Sequence, residues 1–174
     1  SVKDDELIFE EKSEAFTVGI GLSSDEKYFF ISTSDHNTSE QYYFEANEEK
    51  PKPKLIQKRK KGIIYSVNSW EKFFYKHTNE DAEDFKIDKC GDLSKKNWET
   101  FIPAKSEVLI GGLVFLKNWI IRSETSNALG KLFLRNPKTN KEQEIVFSEE
   151  KVIVPSISLI QRDKDTDLVY LSYS

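Results

Sequence analysis

Glu26-Lys27-Tyr28-Phe29-Phe30-Ile31 is the stretch from which the fold can be read. A charged pair leads into four consecutive apolar residues. Side chains alternate between the two faces of a strand, so an unbroken apolar run implies a strand buried on both faces. The same form returns in Glu71-Lys72-Phe73-Phe74-Tyr75, Lys117-Asn118-Trp119-Ile120-Ile121 and Thr166-Asp167-Leu168-Val169-Tyr170-Leu171. Aligned on Tyr28, Phe73, Trp119 and Leu168, these segments are spaced by 45, 46 and 49 residues. Another strand pattern precedes each, at residues 16–22, 63–68, 108–115 and 152–160. A third follows the first three segments, at 41–46, 85–87 and 131–135, and a weaker fourth at 55–57, 98–102 and 144–147.

Four strands in about 45 residues is the period of a β-propeller blade. Each blade packs against a neighbour on either side, which explains the doubly apolar strands. A β-sandwich also shows closely spaced strands but supplies no reason for this period. The sequence therefore predicts an all-β chain, a propeller segment of three to four four-stranded antiparallel blades. Its units are 16–57, 63–102, 108–147 and a half blade at 152–174. Leu7-Ile8-Phe9-Glu10 reads as the outer strand of a preceding blade. Gly19, Gly21, Gly111 and Gly112 fall in leading strands, where backbones are expected to crowd a central channel. Residues 80–85 and 93–98 are each long enough for one helical turn. The first residue is not Met, and the chain contains none; it is expected to be an arc of a larger ring.

Composition removes several classes of protein. With 174 residues, 37% hydrophobic and 13% aromatic, the chain can offset the ordering entropy of a fold. Apolar residues 108–121 are interrupted by Gly111, Gly112, Lys117 and Asn118, so no membrane span is expected. The single Cys90 fits a reducing, cytoplasmic setting. Net charge is -4, which disfavours general nucleic-acid binding. The charge is uneven, however: residues 1–49 carry 13 acids and 3 bases, whereas residues 50–61 carry seven bases and no acid. That basic run, Lys50 to Lys61, has two prolines and no interleaved aromatic residue. It reads as an edge strand and connection protected by lysines rather than as a nucleic-acid site.

A search for chemistry yields no catalytic, cofactor-binding or metal-binding residue. No serine lies in a Gly-x-Ser-x-Gly elbow. Ser34-Asp35-His36 places potential relay partners side by side, where extended chain turns them to opposite faces. His77 closes a strand and is expected, like His36, to be a solvated residue. Gly19-x-Gly21 lacks the third glycine and the helix of a phosphate-binding turn. Adjacent acids such as Asp4-Asp5, Glu10-Glu11, Glu48-Glu49 and Glu149-Glu150 read as solvated charge at strand ends.

Longer motifs carry a resemblance. Leu7-Ile8-Phe9-Glu10-Glu11-Lys12, Thr38-Ser39-Glu40, Tyr65-Ser66-Val67, Asn97-Trp98-Glu99-x-x-Ile102-Pro103, Gly112-Leu113-x-x-Phe115 and Tyr170-x-Ser172-Tyr173-Ser174 occur in order through nearly the whole chain. Together they resemble the oligopeptidase B (protease II) branch of the prolyl oligopeptidase family of serine peptidases. The resemblance implies a seven-bladed propeller capping a C-terminal α/β-hydrolase domain of the same parent chain. It implies cleavage of short peptides after Arg or Lys, with Ser, Asp and His supplied beyond Ser174. The chain itself is then expected to be an inactive gating segment that self-associates through open blade edges. Its acidic excess is expected to favour basic peptides by weak steering. The competing expectation is a non-enzymatic propeller scaffold, which the absence of recurring WD or kelch signatures disfavours.

Overall fold

The computed structural model describes residues 6–146, 156–159 and 164–172, with residues 156–159 described as backbone. The first sheet consists of β1 (Thr17–Leu22), β2 (Tyr28–Ser34), β3 (Ser39–Glu45) and β4 (Lys54–Gln57). The second holds β5 (Tyr65–Trp70), β6 (Phe73–Thr78), β7 (Lys86–Cys90) and β8 (Glu99–Ile102). The third holds β9 (Leu109–Phe115), β10 (Ile120–Ser126), β11 (Leu129–Arg135) and β12 (Glu142–Glu144). A hairpin of β13 (Ser156–Leu159) and β14 (Val169–Ser172) follows. Every sheet is an antiparallel meander in chain order, and all pairings are local.

The four central patterns mark these sheets as blades, because apolar seams close between successive sheets. Phe30, Ile56, Tyr65, Val67 and Phe74 close the seam between the first and second blades. Trp70, Tyr75, Ile87, Ile110 and Phe115 close the next. Leu116, Ile121 and Leu132, with Val169 and Leu171 against them, close the third. Alternation along β6 shows the cause. Phe74 packs towards the first blade, whereas Tyr75 packs towards the third.

Central strands run further than their apolar runs, because polar residues continue the ladder: Ser32-Thr33-Ser34, Lys76-His77-Thr78 and Arg122 to Ser126. The β10–β11 hairpin turns on two residues, Asn127 and Ala128, with φ of 51° and 62°. That is the backbone of the primed turn that matches strand twist.

Several expectations are corrected. Residues 7–10 form no strand; their side chains anchor them, with the Phe9 ring 4.8 Å from that of Tyr42. Residues 80–85 and 93–98 form turns rather than helix. Crowding is real at only one of the four leading-strand glycines. A Cβ on Gly111 would lie 2.0 Å from Ser123 Oγ, whereas one on Gly19, Gly21 or Gly112 would meet nothing within 4 Å. The difference arises where β9 and β10 shift register between Arg122 and Glu124, which drives Ser123 into Gly111. Within the expected strands 144–147 and 152–160, residues 147, 152–155 and 160 lie outside the described residues, as do Tyr173 and Ser174.

Candidate functional site

The leading strand of each blade has one edge that no strand covers, and its backbone groups need partners. The preceding blade supplies them. Ser39 Oγ accepts the N–H of Tyr65 at 2.6 Å and donates to its carbonyl at 2.7 Å. Gln41 Oε1 accepts the Val67 N–H at 2.6 Å. The Tyr65 hydroxyl accepts from the Gln41 N–H and donates to the Gln57 carbonyl. Lower in the same seam Ser69 donates to Asp25, while Ser24 and Asn68 bond each other through backbone and side chain.

His77 performs this task at the second seam. Its Nε2 donates to the Ile110 carbonyl at 2.7 Å, and the Ile110 N–H donates to the Asp84 carbonyl at 2.9 Å. The imidazole lies flat on Phe85, with centroids 4.5 Å apart and planes 8° from parallel. Burial pushes its pKa below the ordinary value, so the ring is neutral. His77 is therefore half-buried in a seam, not solvated as expected. The signal was its place two residues after Tyr75, on the face that packs against the third blade.

His36 is exposed in the β2–β3 turn. The neighbouring Asp35 carboxylate accepts the N–H groups of Asn37 and Thr38 at 2.8 and 2.7 Å, which holds its pKa down. Neither histidine bonds a hydroxyl or thiol among the described residues. Cys90 is buried in the first seam, and burial raises its thiol pKa. Among the described residues no group of His, Cys, Asp and Glu is placed to hold a metal ion. Among the described residues there is no helix long and apolar enough to cross a membrane.

Buried charge braces the blades: Lys76 reaches across a seam to the first blade, whereas Arg122 ties strands within the third. Lys76 lies over the Trp98 ring, 3.3 Å from Gln57 Oε1 and 3.9 Å from Asp88 Oδ2. Burial lowers its pKa against the pull of Asp88 and Glu80. Arg122, 3% exposed, occupies the corresponding place in the third blade and bridges two carboxylates. It reaches Glu124 at 2.8 Å and Glu142 at 2.6 Å, over the face of Phe133. Burial pushes the Glu142 pKa up, but Arg122 outweighs this and holds the carboxylate ionised.

The basic run divides in two. Arg59 is an anchor: it bonds Glu11 and Glu40 and covers the Phe16 ring at 4.1 Å. Lys50, Lys52, Lys54, Lys58, Lys60 and Lys61 are exposed, and Lys54 and Leu55 lie on the outer strand β4. The acidic excess of the first 49 residues is likewise partly absorbed, since Glu11 and Glu40 are bound by Arg59 and Asp25 is buried.

On one side of the blades the hairpin turns converge. Lys27 Nζ donates to the Glu71 carbonyl at 3.0 Å, joining the first and second blades. Asn118 bonds Asp167 through its backbone and side-chain nitrogens at 2.8 and 2.7 Å, joining the third and fourth. Lys164 reaches back to Glu26 at 3.1 Å. These turns enclose a cleft of about 430 Å³.

Meandering four-stranded blades packed face to face, with the leading strands of the second and third capped by their predecessors, define a β-propeller domain. The chain belongs to the family of the prolyl oligopeptidase N-terminal β-propeller domain, whose model matches residues 1–174. Protease 2 of Moraxella lacunata is 35% identical over 123 residues, covering 64% of this chain and 18% of the relative. Dipeptidyl aminopeptidase BI of Pseudoxanthomonas mexicana is 25% identical over 173 residues, covering 98% of this chain and 23% of the relative. Among solved structures, oligopeptidase B from Trypanosoma brucei, closed with covalently bound antipain, superposes with a TM-score of 0.86 at 20% identity. It covers 100% of this chain and 26% of its own. Oligopeptidase B from Leishmania major superposes with a TM-score of 0.82 at 15% identity, covering 99% of this chain and 26% of its own. The chain thus spans about a quarter or less of the relatives it matches.

Proposed function

We propose that this chain is the gating segment of a cytoplasmic serine-type oligopeptidase that cleaves short peptides after Arg or Lys. The observation that carries the reading is the family match along residues 1–174. The commitment of His77 to a blade seam and of Asp35 to its own turn supports assigning no catalytic residue to this chain. In the parent protein the triad stands on a C-terminal α/β-hydrolase domain. The propeller covers it, limits substrate size and parts from it to admit peptide, a gating motion. Exposed acids steer basic peptides weakly, and salt screens them.

The test is hydrolysis of a fluorogenic Arg-Arg amide by the 174-residue chain and by the full gene product. Turnover by the full product alone supports the reading, and its kcat/KM should fall with salt. Activity in neither protein favours a non-enzymatic scaffold, and turnover by the chain itself refutes the assignment of the triad elsewhere. If neutralising Glu10, Glu14, Glu45 and Glu49 leaves the salt slope unchanged, steering is refuted.

A further inference from the structure

We propose that the seam between the second and third blades is a releasable joint, latched by His77 and opened when that ring gains a proton in mild acid. The two seams that flank the second blade are held differently. Across the first run the bonds of Ser39, Gln41 and Tyr65, the pairs Ser69–Asp25 and Ser24–Asn68, and Lys27 on the Glu71 carbonyl. No histidine stands among them. Across the second, among the described residues, only two hydrogen bonds pass, and both are on Ile110. Its carbonyl takes the His77 Nε2–H, and its N–H goes to the Asp84 carbonyl. The rest of that seam is apolar packing and ring contact, including Trp70 on Phe115 and Arg135 over Phe101. The joint belongs to the blades themselves and operates whether or not the parent protein is a peptidase.

The latch is strained, and it has a void beside it. Phe85, on which the imidazole lies, has a φ of 67°, a left-handed backbone that a bulky residue rarely adopts. Such strain persists only while surrounding contacts impose it. Here they are the stacked imidazole and the neighbouring Asp84 carbonyl on Ile110, so loss of His77 frees the turn to relax. A cavity of about 240 Å³ lies between β5 and β9, lined by Ser66, Val67, His77, Gly112 and Leu113 among others, with room for several waters. No hydrogen bond reaches His77 Nδ1 among the described residues, so a proton gained there has water as its acceptor. Hydrating the cavity parts the apolar seam and uncovers the edge of β9.

Charged neighbours do not hold the proton in the closed joint. Ser66 and Ile87, opposite His77 on the flanking strands, are uncharged. Tyr75, two residues before it on the same face, has its pKa pushed up to about 12 by burial and is neutral in acid. In the adjoining turn Glu80 is engaged by Gln57 and Lys76, and Asp84 meets the seam through its carbonyl. On the third blade Glu124, opposite Ile110, is bound by Arg122 and Lys105. Burial thus outweighs the Ile110 bond and disfavours the imidazolium while the joint is closed. The open joint takes the proton more readily, so opening grows as pH falls below 6.5.

Amide hydrogen exchange of the full gene product, read by mass on its peptides and corrected for intrinsic rates, tests the joint. Between pH 7 and 5.5 the protection of peptides holding Leu109–Phe115 should fall by about tenfold, while that of Tyr65–Trp70, in the first seam, stays level. In His77→Gln, which keeps a donor for the Ile110 carbonyl and cannot titrate, the Leu109–Phe115 protection should stay level as well. A second readout needs no variant: slow exchange of the imidazole C2 proton, followed by mass against pH, gives the pKa of His77 itself, expected below 6.5. Protection of β9 that does not change with pH overturns the proposal. So does a parallel loss in both strands, which is general loosening, and so does an undiminished fall in His77→Gln, which assigns the titration to another group. A His77 pKa at or above 6.5 overturns it too, because the closed joint would then hold the proton.

Discussion

At Arg122 a guanidinium stands between Glu124 and Glu142, with Phe133 beneath it. Removing one member of a buried ion group strands the others, at a cost of about 3–5 kcal/mol. Arg122→Ala should lower unfolding free energy by that amount in urea denaturation. Arg122→Lys should recover only part of it, because one ammonium cannot fork to two carboxylates; full recovery would refute the bridging role. His77 makes a different prediction, in pH. Burial depresses its folded pKa below 6.5, so the unfolded chain binds its proton first. The stability it contributes is whole above 6.5 and declines as pH falls from there to the folded value. His77→Gln keeps a donor for the Ile110 carbonyl and removes the titration. Its urea midpoint should stay level between pH 7 and 5 while that of the parent chain declines; parallel curves would refute this. Neither residue's role was legible from the sequence. Arg122 and Lys76 share one place in the repeat, but their partners lie on other strands or other blades.

The meanders were legible because they are local. Runs such as Tyr28 to Ile31 mark the strands, and chain order alone fixes which strands pair. What escaped was the fit between strands that a register shift decides. Gly111 and Gly112 are adjacent and look equivalent, yet only at Gly111 would an added Cβ collide with Ser123 Oγ. Gly111→Ala should therefore destabilise the third blade by about 1–3 kcal/mol, the usual cost of overpacking. Gly112→Ala enters open space and should be neutral or mildly stabilising. Thermal unfolding of the two variants separates them, and equal melting temperatures would refute the crowding at the shift. Residues 7–10 escaped for another reason. Their apolar pattern suits a strand, but tertiary anchors decide their course: Phe9 on Tyr42 and Glu11 on Arg59.

Across the molecule, the first and second blades cover the leading edges of the second and third, and β1 has no blade before it among the described residues. Every residue of β1 is exposed. Val18, Ile20 and Leu22 lie on one face at 52%, 61% and 38% exposure, where the counterpart strands β5 and β9 bury Val67 and Ile110. An apolar strand with an open edge is a template for pairing, and burying these side chains yields about 25 cal/mol per Å². We therefore expect the 174-residue chain to self-associate through this face. Sedimentation velocity should show a dimer or larger species growing with concentration. Ile20→Lys places a charge at the centre of the face, and it should shift the population to monomer without lowering the melting temperature of the blades. A parent chain that sediments as a monomer at high concentration refutes the idea, and so does an Ile20→Lys chain that associates as strongly as before. Val67→Lys is the internal control: the corresponding strand of the second blade is buried in a seam, so that charge should unfold the chain rather than disperse it.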